Sequence, residues 1–193
     1  MEARRTERGA QRCQEILDLA RAALVEEGLE RFSVRRIAER GGMTLGNLQH
    51  YFASRDDLLE QVVNQEFEGD LVAFARGDGD PHDELGELIA RLSERWSDGG
   101  SSVYEPLFLL SLHDERFGQL RTRIYDRFYS ELAGLVEAID PEAPPAECRF
   151  RAMLITALID GVAVQREPLV GQRHRRRTLA EVRHLAGTIA AGS

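Results

Sequence analysis

Lysine is missing from this chain altogether, because every one of its 25 basic residues is Arg. So uniform a bias follows from a GC-rich genome as readily as from selected chemistry, and it carries no functional weight. Cysteine is scarce. Only Cys13 and Cys148 occur, far apart in sequence, on apolar helical faces and without a C-x-x-C pair. That excludes a disulfide framework and a thiolate metal site, and predicts two reduced core thiols. No run of 18 apolar residues exists, and the Arg- and Glu-bearing N-terminus is unlike a signal peptide. Neither a membrane span nor a secretory leader is expected, and the chain is expected in the cytoplasm.

A surplus of positive charge is lacking too. The net charge of −8 argues at first sight against a nucleic-acid partner, since phosphate binding favours a basic surface. The distribution softens the objection. Residues 1–60 hold 10 Arg against 11 Asp and Glu, a balance of −1, while residues 61–193 hold 15 Arg against 22 acids, a balance of −7. The acid load therefore sits mostly in the second part. With 193 residues and 42% hydrophobic content, the chain can build one sizeable core, or a small domain fused to a larger one.

What the sequence does contain is helical periodicity, with no convincing strand alternation, so the fold class is all-α. In a first helix over residues 8–27, Cys13, Ile16, Leu17, Ala20, Ala23 and Leu24 share one face, and Gly28 follows as a C-terminal cap. Further on, "RGDGDPHD" (76–83), "SDGGSS" (97–102), "DPEAPP" (140–145) and "PLVGQ" (168–172) punctuate the chain. They leave helices near 55–75, 83–96, 103–139 with a break around His113 to Glu115, 146–167 and 175–190. With two short helices before residue 55, the total is nine.

Those short helices occupy "SVRRIAERGGMTLGNLQHYFASRDDLL" (33–59). Ser33 is an N-cap with Phe32 poised to staple onto Ile37, and Thr44 repeats the device with Met43 and Leu48. Gly41-Gly42-Met43 leaves room only for two helices crossing steeply, the helix-turn-helix arrangement. Ser54 opens the next helix, with Asp57 completing a capping box. At about 100° per residue, placing Leu48 inward brings Leu45, Tyr51 and Phe52 toward the packed side and throws Gly46, Asn47, Gln49 and His50 outward. Amides can donate and accept against the N6 and N7 edge of adenine, His can reach guanine or a phosphate, and Gly lets the backbone approach.

On these residues the chain resembles the TetR family of bacterial transcriptional repressors. The resemblance rests on the first helix ending at Gly28 and on "FSVRRIAERGGMTLGNLQHYFASRDDLL", with Tyr51-Phe52 followed by "SRDDLL" as its strongest marker; it covers about residues 8–63. It implies base reading by Leu45, Gly46, Asn47, Gln49 and His50, and phosphate contacts from Ser33, Arg35, Thr44, Tyr51 and Arg55. Ala53 departs from the pattern, since many relatives carry Lys there, and the backbone grip at that point is expected either to be weaker or to be taken over by Arg55 and by Arg4, Arg5 and Arg8 of the N-terminal arm.

By the same analogy, residues 1–60 form the DNA-binding domain and 61–193 a helical effector-binding and dimerisation domain. The apolar run Met153 to Ile159, and Leu179, Val182, Leu185, Ala186 and Ile189, suit a four-helix homodimer interface made by the helices near 146–167 and 175–190. Trp96, Tyr104, Phe108, His113, Tyr125, Phe128 and Tyr129 are the candidate effector-binding residues. Asp160, a carboxylate among apolar neighbours, needs an Arg or backbone partner or serves as counter-charge to a cationic effector. The effector expected is an apolar or aromatic small molecule, with a cationic one as an option.

Rival chemistries lack their residues. Glu181-Val182-Arg183-His184 is the one Glu-x-x-His pair, where a di-iron site needs two. His113-Asp114-Glu115 has no Gly-x-Ser-x-Gly elbow beside it and is better explained as a turn. "GDGD" (77–80) has no closing Glu for calcium. Arg173 to Arg177 is basic, but is expected to be a solvated linker. No catalytic residue, metal or cofactor is assigned. The expected function is an effector-responsive repressor that binds a palindromic double-stranded operator as a homodimer. The alternative is a helical head that binds another protein, which a salt-sensitive gel shift on the gene's own upstream DNA separates from it.

Overall fold

The computed structural model describes residues 2–74, 79–96, 101–164 and 172–192. Among the described residues there are nine α-helices and no strand. They are α1 (Glu2–Glu27), α2 (Val34–Arg40), α3 (Leu45–Gln49), α4 (Arg55–Leu71), α5 (Pro81–Arg95), α6 (Ser101–Ser111), α7 (Glu115–Ile139), α8 (Pro145–Val164) and α9 (Gln172–Ala191), with 3-10 turns over Leu29–Arg31 and Val72–Phe74. No helix among the described residues is long and apolar enough to cross a membrane.

The expected elements are all present, and the differences lie at their ends. α5 starts at Pro81, two residues earlier than expected. Asp80 accepts from the His82 amide at 2.8 Å, so the Asp-Pro pair that looks like a breaker is an N-cap followed by a proline at the first helical position. α9 starts at Gln172, which puts the exposed His174, Arg175, Arg176 and Arg177 in its first turns and not in a linker. Cys148 is buried, but Cys13 is only half-buried. The junction at His113 to Glu115 is a turn capped by Asp114, whose carboxylate accepts from the Arg116 amide at 2.9 Å. Within the expected breakers, residues 76–78, 97–100 and 168–171 lie outside the described residues, as does the end of the expected 146–167 helix.

The helices form two compact units, one of Met1–Phe67 with Ser102–Arg121 and one of Glu68–Ser101 with Thr122–Ser193. The first has its core in Ile16, Ala20 and Leu24 of α1, Ile37 of α2, Leu48 of α3, Leu58 and Val62 of α4, and Phe117 of α7, all buried. Each of the Ile, Leu, Val and Phe side chains contributes about 1.5–3 kcal/mol through burial. Two arginines of this unit tie α4 to its neighbours. Arg21 of α1 meets the buried Glu66 at 2.5 Å, and Arg116 of α7 meets Asp57 at 2.6 Å and Glu60 at 2.7 Å. The Arg116 guanidinium, with the Ser54 hydroxyl, holds the Asp57 carboxyl below its ordinary range.

In the second unit α9 packs on both α5 and α8. Buried Asp70 accepts from Arg95 Nε at 2.6 Å and from Trp96 Nε1 at 3.1 Å, which satisfies its carboxylate from the end of α5. Arg151 of α8 reaches Asp140 at 2.8 Å, Glu147 at 2.9 Å and the Ala190 carbonyl of α9 at 3.1 Å.

Candidate nucleic-acid interface

The reading head is built from caps. Ser33 Oγ accepts from the Arg36 amide at 3.3 Å, Thr44 Oγ1 from the Asn47 amide at 3.2 Å, and Ser54 Oγ from the Asp57 amide at 3.0 Å, so each of α2, α3 and α4 begins as the sequence predicts. Between α2 and α3 the turn depends on both glycines for different reasons. Gly42 has φ +60°, in the left-handed region. At Gly41 an added Cβ would come within 2.6 Å of Met43 Cε and 2.9 Å of Leu19 Cδ1, so the missing side chain lets α1 and Met43 close over the turn. Phe32, Ile37 and Leu48 are buried and Met43 is half-buried, as hydrophobic staples require.

This arrangement leaves Gly46, Asn47, Gln49 and His50 exposed around α3. Leu45 and Tyr51, expected toward the packed side, are also exposed, at 38% and 37%. α3 has only five residues, so Leu45 has no preceding turn to cover it, and Tyr51 lies past the last helical residue. Of the inward set, Leu48 and Phe52 are buried. The His50 ring meets Tyr51 edge-on, with centroids 5.6 Å apart.

The side chains expected on phosphates divide into two groups. The Ser33 and Thr44 hydroxyls accept from the backbone, which leaves each O–H free to donate outward. Arg35 is exposed and, among the described residues, pairs at 3.0 Å with Glu39 one turn on. Arg55 turns inward. Its Nε donates to the Phe32 carbonyl at 2.9 Å, one Nη to the Leu29 carbonyl at 3.1 Å, and the other to Asp56 at 3.3 Å. Arg4, Arg5 and Arg8 lie on α1, in the stretch whose side chains are outside the described ones. Sequence reasoning missed Arg116, which lies 59 residues from Asp57 and has no local pattern to mark it.

The expected effector-binding residues fall in both units. Tyr104, Phe108 and His113 belong to the first, where Phe108 is 41% exposed with Arg121 at 6.0 Å from its ring. The others belong to the second. There Trp96 is committed to Asp70, and buried Phe128 stacks edge-on against Phe74 with centroids 4.9 Å apart. Asp160 accepts from the Tyr125 hydroxyl at 2.7 Å, so its partner is a phenol and not the Arg or backbone donor expected. Burial pushes the Asp160 carboxyl above its ordinary value, with the Tyr125 hydrogen bond opposing. Tyr125 and Tyr129 lie 5.6 Å apart, and Arg149 sits 5.6 Å from the Tyr129 ring while pairing with Asp126 at 2.5 Å. No cluster of three or more metal-ligating side chains occurs among the described residues.

Known proteins match both parts of the chain. Residues 16–62 match the family model "Bacterial regulatory proteins, tetR family", and residues 107–190 match "BetI-type transcriptional repressor, C-terminal". A curated relative, the HTH-type transcriptional regulator BetI 2 of Chromohalobacter salexigens, is 28% identical over 158 residues, covering 78% of this chain and 75% of its own. The HTH-type transcriptional repressor KstR2 of Mycobacterium tuberculosis is 39% identical over 49 residues, 25% of this chain and 24% of its own. Among solved structures, a transcriptional regulator from Rhodococcus sp. Rha1 shares the fold with a TM-score of 0.76 at 20% identity, covering 93% of this chain and 96% of that one. Regulators of this kind bind operator DNA and dimerise, and they are not enzymes. With its capped helix-turn-helix and the nine helices of its described residues, the chain belongs to the TetR family of DNA-binding transcriptional regulators.

Proposed function

We propose that this protein is a repressor that binds a palindromic operator as a homodimer and is released by a small molecule, with residues 1–60 reading DNA and 61–193 serving dimerisation and effector binding. The observation that carries the reading is the exposed row Leu45, Gly46, Asn47, Gln49 and His50 on a helix whose start is fixed by Thr44. Ser33, Arg35, Thr44 and Tyr51 flank that row as phosphate ligands. Two such heads related by a two-fold enter successive major grooves, so half-sites lie about one helical turn, or a small multiple of it, apart.

Selection of binding sites from random DNA tests this assignment. Gln49→Ala and Asn47→Ala should each lose about 1–3 kcal/mol of discrimination at one defined base position, whereas Tyr51→Phe should weaken all sequences alike. An unchanged preference in Gln49→Ala would remove that residue from the reading set, and enrichment of a single asymmetric half-site would reject the two-fold arrangement.

The dimer surface is assigned to α8 and α9. Cys148, Ala152, Ile155 and Ile159 of α8 are buried within the subunit, while Phe150, Met153 and Leu154 are 51%, 43% and 42% exposed, as is Leu185 of α9 at 46%. A second apolar stripe on a helix already packed on its own core is what a partner subunit would cover. For the effector, the environment of Asp160, Tyr125 and Tyr129 joins a carboxyl with no charged partner among the described residues to two aromatic faces. That combination suits an apolar or aromatic molecule bearing a positive charge.

A further inference from the structure

We infer that Arg55 is a positioning residue for operator recognition: it locks the start of α4 to the entry of α2 and so fixes the angle at which α3 is presented. This rests on α3 being the base-reading element. The guanidinium fork spans the turn, with Nε on the Phe32 carbonyl at 2.9 Å and Nη on the Leu29 carbonyl at 3.1 Å. Its carbon lies 6.0 Å from the centroid of the Phe32 ring, which is itself buried. The third nitrogen is held by Asp56 at 3.3 Å. All three guanidinium nitrogens thus have partners inside the head.

The chain order makes the lock consequential. Phe32 immediately precedes Ser33, the N-cap of α2, and Arg55 immediately follows Ser54, which caps α4. The fork therefore closes a loop that contains α2, the Gly41-Gly42 turn and α3 entire. α3 is only five residues long and cannot hold its own orientation. Packing of Leu48 and Phe52 fixes its depth, and the Arg55 fork fixes the two ends between which it hangs. A lysine cannot substitute, because an ammonium on a flexible stem does not reproduce a planar fork on two acceptors above a ring.

The test compares Arg55→Lys and Arg55→Met with the native protein, measuring binding to operator and to scrambled DNA across a salt series, and amide hydrogen exchange in α2. Positioning predicts that both variants lose about tenfold or more in operator affinity, keep their affinity for scrambled DNA, retain the native salt slope and exchange α2 amides faster. Phosphate contact predicts the opposite pattern: Arg55→Lys binds operator like the native protein, and Arg55→Met shallows the slope by about 0.9 for each copy of the residue on the duplex. Either of those results overturns the inference. Gln49→Ala measured alongside alters base preference with native exchange in α2, so a failure of the base-reading assignment shows in that protein alone.

Discussion

Met153→Glu is expected to yield a folded monomer at concentrations where the native protein is a dimer, with operator affinity lowered by two or more orders of magnitude. Met153 is 43% exposed on the subunit, so a carboxylate there remains solvated and the helix itself is unharmed. In a two-fold interface the same substitution acts twice, placing two like charges against an apolar patch formed by Phe150, Leu154 and Leu185. Each charge buried without a partner costs several kcal/mol. Operator affinity then falls because the second head is no longer tethered, and linkage of two binding modules multiplies affinity by about 10²–10⁴. Sedimentation velocity and gel shifts on operator and on an isolated half-site check the outcome. A dimer that persists in Met153→Glu rejects this face as the interface, and a monomer that still binds full operator tightly rejects the need for two heads.

Asp160→Asn is expected to raise stability at neutral pH and to weaken binding of a cationic effector. The native carboxyl titrates above its ordinary value because burial disfavours its charge. Between the ordinary carboxylate range and that raised value the folded state holds a proton that the unfolded state has lost. Stability therefore falls as pH rises through this window. The amide is neutral throughout and still accepts from the Tyr125 hydroxyl, so the variant gains on the native protein above the window, and the difference closes in acid. A bound cation reverses the balance by favouring the carboxylate, so its affinity should rise with pH through the same window. Loss of a charge-assisted contact costs about 2 kcal/mol, roughly thirtyfold in Kd. Thermal melts across pH, and calorimetry with an ammonium-bearing effector found by thermal-shift screening, test both halves. Equal affinity in the two proteins rejects Asp160 as counter-charge, and a difference in stability that grows toward acid rejects the titration.

The parts of this molecule legible from sequence are those set within one helical turn. Ser33, Thr44 and Ser54 each cap an amide three residues on, so their roles follow from local spacing alone. The outward row of α3 was legible for Gly46, Asn47, Gln49 and His50 because Leu48 supplies the single inward anchor. Leu45 and Tyr51 broke the rotation rule at the two ends of a helix too short for neighbouring turns to shield them. Long-range partners were illegible. Arg55 finds its acceptors 23 and 26 residues away, on backbone carbonyls that have no sequence signature. That Asp160 needs a donor follows from its apolar neighbours, but Tyr125, 35 residues earlier, does not.

The contact from Arg151 to the Ala190 carbonyl bears on the order in which the second unit comes apart. The last carbonyls of a helix have no partner within it and ordinarily bond only water, so a helix opens readily at its C-terminal end. Here that end is latched from α8 by a side chain anchored in turn on Asp140 and Glu147, while the opposite end of α9 gathers His174 and three Arg at the positive pole of the helix dipole. The C-terminal end of α9 is thereby the better held of its two ends. α9 should open from Gln172 inward, and hydrogen exchange should report slower amides near Ile189 than near Thr178; the reverse gradient would show that the latch does not hold. Local opening then begins at the arginine-rich end, and the last turn is among the final parts of the helix to be released.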